Sequence, residues 1–335
     1  MRYKQLGKSG IEASIIILGT WATSGWMWGG TDEKEAINAI HATLDNGVNA
    51  IDTAPIYGFG RSEQLVGKAL KGRRDDVVIA SKCGLIWHDN KGALSFNADD
   101  YGMVDNGTGK KIYSYLGPES IRYEIEKSLI RLRTDYIDLY QVHWQDPTTQ
   151  ISDTMNELLK LKQDGKIRAI GVCNASVEEM KQYNEIGTLD TDQEKYSLLD
   201  RKAATNNIPY ALSNDMAFLG YSPLSYGLLT GNSKSMRKYG KGDIRLTRRR
   251  FSQENIALIN TMLNEFKPIA DEHDVTITQL VIAWVLNQKG CSHVLVGARK
   301  TMHAIENIKG GDLLLSQGEL DQMQTILEKY LPDLA

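Results

Sequence analysis

The chain has 335 residues, 41% of them hydrophobic and 24% charged, with a formal net charge of -3 at pH 7. That length supports a full buried core, and the near-neutral charge leaves no footprint for nucleic acid or an anionic membrane surface. Met1-Arg2-Tyr3-Lys4 opens into polar sequence and no window reaches the roughly 18 uncharged apolar residues of a membrane span, so a cytoplasmic chain is expected.

Taken in order, residues 2–6 and 11–15 flank Gly7-Lys8-Ser9-Gly10 and predict a β-hairpin. Ile15 to Leu18 is an apolar strand closing on Gly19-Thr20-Trp21. After a Gly-rich loop, Asp32 and Glu35 resemble an N-cap and its N3 partner, and Ile37, Ile40 and Leu44 share a helical face that stops at Asn46-Gly47. The second strand ends at Asp52. Pro55, Gly58 and Gly60 then turn the backbone into a helix near Ser62, lined by Leu65, Val66, Ala69 and Leu70. Val77 to Lys82 has the uninterrupted apolar character of a buried strand and ends on a lysine.

Residues 83–117, rich in Gly, Asn and Asp, predict a long loop, which in a compact domain is usually functional or disordered. Pro118 suits a first helical position, with Ile121, Ile125, Leu129 and Leu132 on one face. Ile137 to His143 is the fourth strand. A helix marked by Met155, Leu158 and Leu159 ends at Gly165; Ile167 to Val172 runs into Cys173-Asn174, and a helix follows from about Ser176. The sixth strand is predicted at Leu189 to Gln193, the seventh at Ala217 to Tyr221 and the eighth at His293 to Val296. Residues 232–253 interrupt the seventh unit with Lys234, Arg237, Lys238, Lys241, Arg245, Arg248, Arg249 and Arg250. Eight strand-helix alternations without a Gly-rich dinucleotide fingerprint predict one closed (β/α)8 barrel domain spanning 1–335. Cys83, Cys173 and Cys291 are odd in number and widely spaced, which argues for reduced packing residues and against a disulfide framework or zinc site.

In such a barrel the polar residues that terminate strands converge on one mouth. Here they are Asp52, Lys82, His143, Asn174, Gln193 and Tyr221, with Tyr57 one loop turn beyond Asp52. A phenol is a poor acid near neutral pH, with a reference pKa of about 10, unless a nearby cation favours the phenolate. Lys82 supplies that cation, Asp52 holds the ammonium charged, and His143 donates to an oxygen beside the phenol. Together they would polarise a carbonyl and pass it a proton. Singly each has a plainer reading, as a surface ring, a solvated lysine or a hydrogen-bonded core histidine; joint placement at successive strand ends argues for chemistry.

Several runs resemble the aldo-keto reductases. They are Asp52-Thr53-Ala54 with Tyr57-Gly58 and Gly60-Arg61-Ser62-Glu63, Ser81-Lys82, Asp135 to Trp144, and Gly165-Lys166-Ile167-Arg168-Ala169-Ile170-Gly171-Val172. Tyr221-Ser222-Pro223-Leu224, Gly227 to Gly231, and Gly297-Ala298-Arg299 with Asn307 complete the likeness, which runs from hairpin to last helix and is nearest the bacterial branch that includes general stress reductases.

The resemblance implies an NADP(H)-dependent oxidoreductase interconverting aldehydes or ketones and alcohols. Tyr57 would be the proton donor, Lys82 would lower its pKa, Asp52 would hold Lys82, and His143 would orient the substrate carbonyl. Gly19, Thr20 and Trp21 would lie against the cofactor, Cys173, Asn174 and Gln193 would grip its carboxamide, and Tyr221 would stack on the nicotinamide. Ser222, Pro223, Leu224, Gly227 and Leu228 would meet the pyrophosphate; Gly297, Arg299, His303, Glu306 and Asn307 would enclose the adenosine end. Three positions depart from the family pattern: Cys173 replaces a usual serine, His303 a Gln or Arg, and Gln145 the proline common after His143-Trp144.

Trp21, Trp87 and Trp144 follow the first, third and fourth strand ends and are expected to wall an open, apolar substrate pocket of broad specificity. Arg299, in the turn before a helix near Thr301, is expected to read the 2′-phosphate that separates NADP from NAD. Two rivals are a Schiff-base lyase built on Lys82 and a non-catalytic NADP(H) sensor. Asp52 speaks against the first by favouring the charged, non-nucleophilic amine. The histidines contain no His-x-His or His-x-x-x-His pair, which argues against a metal hydrolase. Substrate identity and oligomeric state are not legible.

Overall fold

The computed structural model describes residues 1–98, 109–231 and 239–334, and eight parallel strands close into a ring at its centre. A hairpin comes first, β1 (Tyr3–Gln5) and β2 (Glu12–Ser14), with Tyr3 opposite Ser14. The first three barrel strands are β3 (Ile16–Gly19), β4 (Ala50–Asp52) and β5 (Val78–Cys83). Three short antiparallel strands follow, β6 (Leu85–Ile86), β7 (Ala93–Asn97) and β8 (Lys111–Ser114), in the order β6-β8-β7. The barrel resumes with β9 (Ile137–Val142), β10 (Ile167–Cys173), β11 (Thr191–Lys195), β12 (Ala217–Tyr221) and β13 (Cys291–Gly297). β13 closes on β3 from Val294 opposite Ile16 to Gly297 opposite Gly19.

The helices are α1 (Glu33–Asp45), α2 (Arg61–Ala69), α3 (Pro118–Leu132), α4 (Ile151–Gln163), α5 (Val177–Ile186) and α6 (Asn207–Ser213). Then come α7 (Gln253–Glu265), α8 (Lys267–Glu272), α9 (Ile277–Leu286), α10 (Thr301–Lys309) and α11 (Gln317–Tyr330). Local signals set several starts. The Asp32 carboxylate accepts from Glu35 N at 2.8 Å, Pro118 occupies the first turn of α3, and Ser176 with Glu179 forms a reciprocal capping box on α5. The side-chain caps at Asp32 and Ser176 are each worth about 1 kcal/mol. No helix among the described residues is long and apolar enough to cross a membrane.

Strand alternation divides the core in two. Ile17, Ala50, Ala80, Leu139, Ala169, Leu219 and Leu295 fill the barrel, and Leu6, Ile11 and Ala13 of the hairpin region pack with them. Ile51, Ile79, Tyr140, Ile170, Val172, Val294 and Val296 belong to the larger cluster beneath the helices. Burying an aliphatic side chain stabilises by roughly 1.5–3 kcal/mol, so a one-residue slip in any strand would be costly. The same period places Asp52, Lys82, Gln141 and Gln193 inward, one residue pair beyond the apolar layer.

The structure departs from the sequence reading in two places. Residues 83–117 are not simply a loop: β6 to β8 form a sheet whose buried Leu85 and Ile112, with Ala98, pack on Ala54 and Ile56. Their pairing is non-local and the segments are short, so the local pattern carried little signal. The sixth strand lies at Thr191–Lys195, two residues later than predicted, because Asp192 and Glu194 interrupt its apolar pattern. Within the basic segment, Arg245 is 6% exposed and paired with Asp243, and Arg250 pairs with Asp200. Lys234, Arg237 and Lys238 lie outside the described residues.

Candidate active site

Asp52 and Lys82, both inward-facing at the ends of neighbouring strands, meet in a buried ion pair of 2.5 Å, and Lys82 Nζ also donates to Thr53 O at 3.0 Å. The two side chains are 3% and 1% exposed. The loop after β4 brings the Tyr57 ring over them, with Lys82 Nζ 5.2 Å from its centroid. His143, one residue past β9, meets Tyr57 edge-on with centroids 5.7 Å apart, and Trp21 lies on Tyr57 at 6.2 Å and 27°.

Burial lowers the affinity of the Lys82 amine for its proton, but the charge of Asp52 and its hydrogen bond outweigh it and hold the ammonium above its ordinary value. Burial likewise pushes the Tyr57 hydroxyl up, to about 12; Lys82 pulls it down, and Asp52 and Cys173 oppose Lys82. Thus Lys82 acts in the expected direction, but desolvation wins and Tyr57 keeps its proton at neutral pH. His143 is driven well below its usual value, first by burial and then by Lys82, so its imidazole is neutral. The arrangement is a loaded acid beside a neutral hydrogen-bond donor.

These groups stand at one end of a continuous cavity of about 660 Å³. Gly19, Thr20, Trp21, Asp52, Tyr57, His143, Trp144, Asn174, Gln193 and Tyr221 line that end, and Ser222, Pro223, Leu224 and Gly227 continue along it. Gly297, Arg299, His303, Glu306 and Asn307 line the far end. Ser222, Ser225, Tyr226 and Gly227 all have left-handed φ, a crowding of turns in which Ser225 N donates to Ser222 O at 3.0 Å and Gly227 N to Leu224 O at 2.8 Å. A Cβ on Gly227 would meet no atom within 4 Å, so that backbone borders open space. Arg299 closes the far end from the turn between β13 and α10; its Nη1 donates to Trp28 O at 2.9 Å and Gly30 O at 3.1 Å.

Some expected residues sit differently. Lys82 lies beneath the cavity floor. The Leu228 side chain is fully buried in the core, and Cys173 is 1% exposed under the mouth. Trp87 is not among the lining residues; it packs edge-on against Phe59 and anchors its own loop. Asn174, at φ 53, donates to His143 O at 3.0 Å and accepts from Tyr221 OH at 2.8 Å, so it braces two other site residues. Gln145, where a proline was expected, donates to Cys173 O at 3.3 Å and accepts from Tyr183 OH at 3.1 Å, tying the His143 loop to β10 and α5. Sequence reasoning missed Trp26, Trp28, Phe96, Tyr226, Arg245 and Arg248 in the lining. The cluster Trp26-Met27-Trp28 beside Trp21 was a usable signal; Phe96 was not, since only β7 pairing brings it there. Arg245 is held bidentately by Asp243, at 2.8 and 2.6 Å, between the rings of Trp28 and Tyr239, and Ile244 N donates to Met27 O at 2.9 Å. This segment straps the 21–30 loop from above.

The lining fits an extended nicotinamide dinucleotide: the Tyr221 ring and the amide side chains of Asn174 and Gln193 at one end, open backbone at Gly227 midway and the Arg299 guanidinium at the other. Comparison with known proteins agrees. The chain is 38% identical to an aldo-keto reductase, YhdN, of Bacillus subtilis, over 99% of this chain and 96% of that one. It is also 38% identical to an NADH-specific methylglyoxal reductase of Escherichia coli, over 98% and 99% respectively. The structure of a glycerol dehydrogenase, AKR11B4, from Gluconobacter oxydans superposes with a TM-score of 0.85 at 36% identity, covering 98% of this chain and 96% of that one. With residues 15–328 matching the family profile as well, the chain belongs to the aldo/keto reductase family, oxidoreductases that act on small carbonyl substrates with a nicotinamide cofactor.

Proposed function

We propose that this chain is a cytoplasmic, single-domain NADP(H)-dependent reductase of aldehydes and ketones, with Tyr57 as general acid in reduction and general base in the reverse reaction. The observation that carries this reading is the buried Asp52–Lys82 pair beneath the Tyr57 ring, with His143 edge-on beside it, at the mouth of an elongated cavity. The cofactor supplies the hydride. What the protein contributes is orientation and a proton: His143 donates to the carbonyl oxygen, and Tyr57 releases its proton to that oxygen as negative charge develops there. Lys82 stabilises the tyrosinate left behind, and Asp52 keeps Lys82 cationic.

NADPH is preferred to NADH on this reading because Arg299 lines the far end of the cavity just before the N-terminus of α10, where a 2′-phosphate would be received. The Asp52–Lys82 pairing argues against a Schiff-base lyase, since a charged amine does not attack a carbonyl. Trp21, Trp26, Phe96, Ile56 and Leu85 form an apolar wall near Tyr57, and Trp144 stays 46% exposed, which supports broad use of aldehydes. A kinetic screen of aldehydes, ketones and sugars with NADPH and NADH tests the proposal. Ready turnover with NADPH supports it; tight cofactor binding with negligible turnover of every carbonyl would point to a sensor instead.

A further inference from the structure

We infer that Gln141 is a positioning residue that acts on both halves of the site at once: it fixes the Asp52 carboxylate that holds Lys82, and it sets which way the Gln193 amide faces. The inference rests on the catalytic reading of Asp52, Lys82 and Tyr57 given above. Gln141 is fully buried in β9, directly opposite Lys82 in the β5–β9 register and two residues before His143. The period of the strand therefore aims it into the barrel beside the ion pair.

Its contacts form a closed triangle. Gln141 Nε2 donates to Asp52 Oδ2 at 3.2 Å, Gln193 Nε2 donates to the same oxygen at 2.9 Å, and Gln193 Nε2 also donates to Gln141 Oε1 at 3.2 Å. Lys82 occupies the other carboxylate oxygen, Oδ1. A carboxylate only accepts, so both amides must turn nitrogen toward Asp52; a flipped amide would set oxygen against oxygen. With both protons of Gln193 Nε2 engaged, its carbonyl oxygen is the group left to present to the cavity that Gln193 lines. That is an acceptor, suited to an amide N–H of a bound ligand. Without Gln141, one Gln193 proton loses its partner and the amide is freer to turn over.

The barrel makes room for this bridge. Gly171 of β10 lies opposite both Gln141 and Thr191, and a Cβ there would come within 3.0 Å of Gln141 Cγ and 2.1 Å of Thr191 Oγ1. A bare rung between β9 and β11 thus lets Gln141 lean across to Gln193. One side chain joins the group that governs proton transfer to the group that faces the cofactor.

Two variants test the role. Gln141→Leu keeps the volume and removes both polar arms; NADPH affinity, measured by fluorescence titration without substrate, should weaken by about tenfold and kcat should fall by a similar factor. Gln141→Glu keeps the shape. Protonated, the new carboxyl still donates to Asp52; ionised, it sets a second negative charge against it, so activity and NADPH affinity should match the parent near about pH 6 and fall about tenfold or more by about pH 9. A residue that merely fills space would lower thermal stability and leave this pH dependence unchanged. Should the leucine variant fail to fold, the isosteric glutamate variant carries the test. Affinity and kcat within about twofold of the parent in Gln141→Leu, or a parental pH profile in Gln141→Glu, would overturn the inference. Because the titration needs no turnover, its failure is distinct from failure of the reductase reading, which the parent protein's turnover decides.

Discussion

Asp52→Asn changes one atom's chemistry and leaves volume almost untouched, yet it should be among the most damaging single substitutions in the chain. Lys82 Nζ sits 2.5 Å from Asp52 Oδ1 with both side chains almost wholly buried, and Oδ2 receives two amide donors. An asparagine has one acceptor oxygen. Turned toward Lys82, it presents its NH2 group to two other donors; turned away, it presents that group to an ammonium. Breaking a buried pair in this way costs about 3–5 kcal/mol. The pH dependence gives a sharper signature. In the parent, Lys82 is held above its unfolded value, so its contribution is fully present below that value, about 10.4, and is lost only as pH rises through the still higher folded value. In Asp52→Asn the attraction is gone and desolvation leads, which puts the folded value below the unfolded one. The unfolded variant then binds the extra proton, and its stability rises with pH by up to about 1.4 kcal/mol per unit in the window below about pH 10. Urea unfolding followed by tryptophan fluorescence at neutral and alkaline pH should therefore show a large gap to the parent that narrows as pH rises. A gap below about 1 kcal/mol, or one that stays constant with pH, would show that Lys82 is not charged against Asp52.

Tyr57→Phe should lower carbonyl reduction by two or more orders of magnitude, the usual range for a positioned acid, with NADPH affinity nearly unchanged in the same titration. Arg299→Ala should weaken NADPH binding by about tenfold to a hundredfold and NADH binding much less. Equal losses would mean that its bonds to Trp28 O and Gly30 O, which hold the loop, are its whole role. His143 is held far below its ordinary value, so it stays neutral, and kcat/KM should show no His143 ionisation between about pH 6 and about pH 8. A limb in that range that disappears in His143→Gln would contradict the neutral imidazole.

What the sequence by itself determined was the barrel and the strand-end residues. Apolar runs of strand length alternating with capped helices carry a local period, and that period dictates which side chains face inward once the sheet is parallel. Asp52, Lys82 and His143 could be named because each ends or directly follows such a run. Gln141 could have been found by the same rule, since it lies two residues before His143 on the same face. Tertiary structure alone decided the rest. The sheet of β6 to β8, the strap in which Asp243 fixes Arg245 over Trp28, and the entry of Phe96 into the cavity wall all depend on partners distant in sequence, which short polar segments do not advertise. The exclusion of Trp87 from the wall turned on packing against Phe59. The protonation of Tyr57 was likewise beyond the sequence: that Lys82 lies nearby could be read, but whether its charge or the loss of water prevails depends on burial, and burial is a property of the whole fold.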